Sequence, residues 1–76
     1  MSEKEINEII SRNLTYYLEK NGMTQLDLAE RLGVSQAAVS NWCKGIKMPR
    51  MNKVDSICDI LQIKRSYLME EHDNSY

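Results

Sequence analysis

Seventy-six residues, 42% of them hydrophobic, make one domain that buries only about 60 to 65 percent of its unfolded surface, leaving little room for an enclosed active site. A single proline, three glycines and little β-branched alternation favour an all-α fold over a sheet. The formal net charge of −1 excludes a uniformly basic nucleic-acid binder and makes the distribution of charge the informative quantity.

Ile6, Ile9, Ile10, Leu14, Tyr17 and Leu18 recur at three- and four-residue steps, which predicts a first helix over 4–20 with one buried face, ended by Asn21-Gly22. Thr24 is placed to accept from a first-turn amide, and Asp27 suits the positive end of a second helix over 25–32. On that helix Leu28 and Leu32 share a face, Ala29 keeps the face thin, and Gly33 can take the left-handed conformation that ends it. Val34 is an apolar plug, and Ser35 caps a third helix over 36–44 in which Val39 and Trp42 point inward. Gln36, Ala37, Ser40, Asn41 and Lys44 then occupy the opposite face.

That outward face is small, polar and nearly uncharged. Such a surface suits a major groove, where Gln or Asn pairs with adenine in bidentate fashion, Ser donates or accepts, and an Ala methyl touches thymine. Trp42 as a base-stacking residue is the competing reading, but its spacing from Val39 assigns it to the core.

Ile46, Met48 and Pro49 form a loop whose proline forbids helix at Met48, and a fourth helix over 51–61 turns Val54, Ile57, Cys58 and Leu61 inward. After a short Gln62-Ile63 connection, residues 65–70 make a last turn or two with Tyr67 and Leu68 packing back. The domain is expected to span 1–70, with 71–76 a polar, disordered tail.

Charge is uneven along this path. Residues 1–42 hold six acids and four bases, and residues 55–76 hold five acids and two bases. Between them, residues 43–54 carry Lys44, Lys47, Arg50 and Lys53 with no acid. A charge run is usually a solvated face, but this one follows the third helix directly, where phosphates would lie beside a groove-reading surface.

Catalysis has no basis in the sequence: the lone histidine, His72, sits in the polar tail, with no nucleophile, base and orienting group to assemble around it. No metal or cofactor is expected either, because Cys43 and Cys58 fall inside helices without a second pair. They read as reduced, buried thiols, and a redox switch would need a lowered thiol pKa. The residues at the start lack the basic and apolar regions of a secretion signal, and no stretch nears the roughly 18 apolar residues of a membrane span. The expected location is the cytoplasm, away from membranes.

Gln25, Ala29, Gly33, Val39 and Trp42, followed by the Lys-Gly-Ile-Lys-Met-Pro loop at 44–49 and the Ile-Lys-Arg-Ser-Tyr-Leu ending at 63–68, form a pattern that resembles the helix-turn-helix of the phage lambda repressor and Cro (XRE) family. The likeness spans residues 9–69. It implies a compact five-helix lambda-repressor-like domain, with helices 2 and 3 forming the helix-turn-helix. It also implies base reading by Gln36, Ala37, Ser40 and Asn41, with phosphate contacts from Gln25, Lys44, Lys47, Arg50 and Lys53. Gln25 in this family touches phosphate and braces the glutamine at the position of Gln36. The family's usual arginine and glutamate, at the positions of Leu18 and Cys43, are both replaced here, so these two side chains are expected to be buried in contact; exchanging a buried ion pair for apolar groups can be neutral or stabilising.

The function implied is sequence-specific transcriptional regulation of the phage or prophage repressor type, by occupancy of an operator in double-stranded DNA. Because one recognition helix spans only a few base pairs, a weak homodimer stabilised on DNA is expected, joined through Ile63, Tyr67, Leu68 and Met69. Two readings compete on the same fold: a coactivator-like protein-interaction module, and the antitoxin of a toxin–antitoxin pair. An uncharged reading face beside a basic loop favours DNA over the interaction module, since a protein interface would not require that pairing.

Overall fold

Ser2 starts the first helix: its hydroxyl accepts from the Glu5 amide at 3.2 Å, and Glu3 and Glu5 place negative charge at the positive end of the helix. In the computed structural model, which describes residues 2–71, this helix is α1 (Glu3–Lys20), followed by α2 (Gln25–Leu32), α3 (Gln36–Cys43), α4 (Met51–Leu61) and α5 (Arg65–Met69). The all-α, five-helix architecture expected from the sequence is present. His72 and most of the expected polar tail lie outside the described residues.

All five helices contribute to one core. Ile10, Leu14 and Leu18 of α1 meet Leu28 and Ala29 of α2, Val39 and Trp42 of α3, Val54, Ile57, Cys58 and Leu61 of α4, and Leu68 of α5. α1 packs on both α3 and α5, α2 packs on α3 and α4, and α4 completes the ring by packing on α5. None of the short helices could persist alone at these lengths, so their stability comes from the shared apolar face.

Three expectations change. Tyr67 does not pack inward: it is 42% exposed and stacks on Tyr17 with ring centroids 6.5 Å apart. Leu68, by contrast, is wholly buried and so is withdrawn from any surface contact with a second chain. Leu18 is buried as expected, whereas Cys43 is only half-buried and packs against the core in part. The physical reason is position: Cys43 is the last residue of α3, where the chain leaves the core for the loop.

The last helix is fastened by a residue that periodicity passes over. Asn13 sits on the buried face of α1 and its Nδ2 donates to the carbonyls of Leu68 and Glu70, both at 2.8 Å. Two carbonyls at the end of α5 thereby gain a partner that the five-residue helix cannot supply itself.

Candidate DNA-binding face

The turn between α2 and α3 is built from local hydrogen bonds. Thr24 Oγ1 accepts from the Asp27 amide at 3.0 Å while Asp27 Oδ2 accepts from the Thr24 amide at 2.9 Å, a reciprocal cap at the start of α2. The Thr24 amide holds the Asp27 carboxyl below its ordinary 3.8. Gly33 takes φ of 72°, a left-handed conformation that lets the Val34 amide return to the Ala29 carbonyl at 3.0 Å. Ser35 Oγ then accepts from the Ala38 amide at 3.1 Å and opens α3.

Burial fixes the rotational phase of α3. Val39 is wholly buried and Trp42 is 7% exposed, so the helix cannot turn about its axis without bringing polar residues into the core. Gln36 and Ala37 consequently stand exposed in the first turn, with Ser40 and Asn41 half-buried one turn further on. Trp42 is a core residue. Gln25, at the start of α2, is half-buried and shares no hydrogen bond with Gln36 in this structure.

The basic residues divide into two groups. Lys44 caps the end of α3, and Lys47 and Arg50 follow on the connection to α4; all three are exposed. Lys53 is half-buried and its ammonium donates to the Leu32 carbonyl at 3.5 Å, joining α4 to the negative end of α2. Its charge therefore already serves the packing of those two helices.

Two residues of this region escape sequence reasoning. Asn7 Nδ2 donates to the Ile46 carbonyl at 3.4 Å, and Ser11 Oγ donates to the Cys43 carbonyl, so α1 holds both ends of the turn that follows α3. The available signal was polar residues at 7, 11 and 13 interrupting an otherwise apolar helix face. Burial pushes both the Cys43 thiol at the end of α3 and the Cys58 thiol in α4 up, so neither is activated. Among the described residues no group of three or more His, Cys, Asp or Glu could hold a metal ion, and no helix is long and apolar enough to cross a membrane.

The helix-turn-helix family model matches residues 14–68 of the chain, which takes in the capped turn, α3 and the basic loop. This protein belongs to the helix-turn-helix family, of the XRE type. A 26 kDa repressor protein of Escherichia phage HK022 is 33% identical over 72 residues, 90% of this chain, although that span is only 31% of the phage protein. The solution structure of the SOS-response transcriptional repressor LexA from Eubacterium rectale superposes over the whole of this chain and 81% of its own, with a TM-score of 0.87 and 38% identity. The crystal structure of a hypothetical transcription factor, NHTF, from Neisseria shares the fold at a TM-score of 0.81 over 93% of this chain and 82% of its own, with 15% identity.

Proposed function

We propose that this helix-turn-helix protein is a transcriptional regulator of repressor type that acts by occupying a specific operator in double-stranded DNA. The observation that carries the proposal is the phase of α3: burial of Val39 and Trp42 turns Gln36, Ala37, Ser40 and Asn41 outward, directly ahead of an acid-free run of cations. In this reading those four side chains contact base edges, while Gln25, Lys44, Lys47 and Arg50 contact phosphates and set the register. Lys53 contributes a longer-range field, because its ammonium faces the α2 terminus.

A domain with one recognition helix reads half a site, so two copies act together. The self-contact proposed is the α5 end, now without Leu68: Ile63, Tyr67 and Met69, with Tyr17 alongside. So small a surface gives a weak dimer that DNA assembles on a near-palindrome.

The test begins with selection of bound duplexes from a random library. On the selected operator Gln36→Ala should cost about 1 to 3 kcal/mol and relax preference at one base pair. Lys47→Ala should weaken all sequences alike and lower the salt slope by about one unit. If both variants show the same sequence-independent loss, the division into reading face and clamp is wrong. Moving one half-site by about five base pairs places it on the opposite side of the duplex. Equal affinity for that altered operator would rule out the dimer.

A further inference from the structure

Ile46 is 59% exposed, more so than Leu26, Met51 or Tyr67. A branched apolar side chain on a loop between Lys44 and Lys47 has no role in the core, and solvent alone gives no reason to hold it in one place. Yet its backbone is pinned from both sides. The Ile46 amide donates to the Asn41 carbonyl at 3.0 Å, and the Ile46 carbonyl accepts from Asn7 Nδ2 at 3.4 Å. The residue before it, Gly45, takes the left-handed φ of 76° that suits glycine and lies against α1, where a Cβ would make ordinary contacts with Asn7 and Ser11 at 3.7 Å. The preceding turn is closed by Ser11 Oγ on the Cys43 carbonyl. This mooring has a cost, because Asn7 is 6% exposed and its Oδ1 is buried with no partner.

We propose that Ile46 is a DNA contact in its own right, an apolar side chain that α1 holds in place to pack against deoxyribose on the backbone strand that Lys44 and Lys47 neutralise. The inference rests on the operator-binding function proposed above. Cations on either side bring phosphates to this loop, and the surface between successive phosphates is the sugar, whose C–H edge is the apolar part of the backbone. Removing that edge and an exposed isoleucine from water together is favourable, and it orders almost nothing further, since the loop is already moored. Sugars are alike under every base, so the contact adds affinity without sequence preference. It involves no ion release, so it adds nothing to salt dependence.

The experiment compares wild type, Ile46→Ser, Ile46→Val and Lys47→Ala on the selected operator and on an unrelated duplex across a salt series, with thermal unfolding of each. Ile46→Ser should lose about three- to tenfold in affinity on both duplexes at every salt concentration, the loss expected from part of one branched side chain. Its salt slope and melting temperature should match the wild type, and Ile46→Val should recover most of the affinity. Lys47→Ala should instead change the slope. Unchanged affinity in Ile46→Ser overturns the contact, and a changed slope overturns it too by assigning the effect to the lysines. A loss confined to the operator would replace the sugar with a base methyl and would equally overturn it. Wild type that binds no duplex would remove the operator function itself, an outcome distinct from all of these.

Discussion

Replacing Asn13 tests how the last helix is held. Asn13→Ala removes the two donations from Nδ2 to the Leu68 and Glu70 carbonyls. Each net hydrogen bond contributes about 0.5 to 1.5 kcal/mol, so the pair contributes about 1 to 3 kcal/mol. Glu70 is exposed and its carbonyl regains water, whereas Leu68 is wholly buried, which puts the expectation near 2 kcal/mol. Against a total of roughly 4 to 11 kcal/mol for a domain this size, that lowers the melting temperature by about 8 to 16 °C. Thermal melts followed by circular dichroism measure the loss, and hydrogen exchange locates it in α5. Asn13→Leu separates two causes, because it refills the volume without restoring a donor. If the hydrogen bonds matter, Leu is no better than Ala; if Leu restores the wild-type melt, the cause was a cavity and the fastening assigned to Asn13 is wrong. A loss below about 0.5 kcal/mol in Asn13→Ala would refute the assignment outright. Since α5 also carries the proposed self-contact, affinity for a two-half-site operator should fall more than affinity for a single half-site.

Two further outcomes follow from backbone and charge. Gln62 caps α4 with φ of 58°, a left-handed conformation that disfavours a residue bearing a Cβ; Gln62→Gly should stabilise by about 0.5 to 1 kcal/mol after allowance for the freer unfolded chain, read as a higher urea midpoint at unchanged slope. A lower midpoint would contradict that account. The Asp27 carboxyl lies below its ordinary 3.8 because the Thr24 amide favours the charged form, so its contribution is present above the ordinary value and is lost as pH falls through the lowered one. Asp27→Asn should therefore be less stable than wild type at neutral pH, with the two converging below pH 3.8; a gap that persists in acid would show that the carboxylate is not responsible.

Local signals made most of the helix-turn-helix legible. Thr24, Asp27, Gly33 and Ser35 act through bonds to amides and carbonyls within four or five residues, so their roles depend on little beyond their neighbours in sequence. The same holds for the Val39 and Trp42 stripe, because helical spacing alone separates it from Gln36 and Ala37. Tyr67 shows where that reasoning stops: an aromatic one residue before a buried leucine reads as core, and only the docked position of α5 shows that its ring lies on Tyr17 instead.

The sequence by itself determined the five helices, the capped turn and which face of α3 looks outward, since each is set by spacing and short-range hydrogen bonds. The tertiary structure alone decided that Asn13 fastens α5, that Lys53 faces the end of α2, and that Asn7 and Ser11 moor the basic loop. Those bonds join residues from 21 to 57 positions apart, and a polar side chain carries no mark of which distant carbonyl it will meet until the apolar faces have packed and brought the two together.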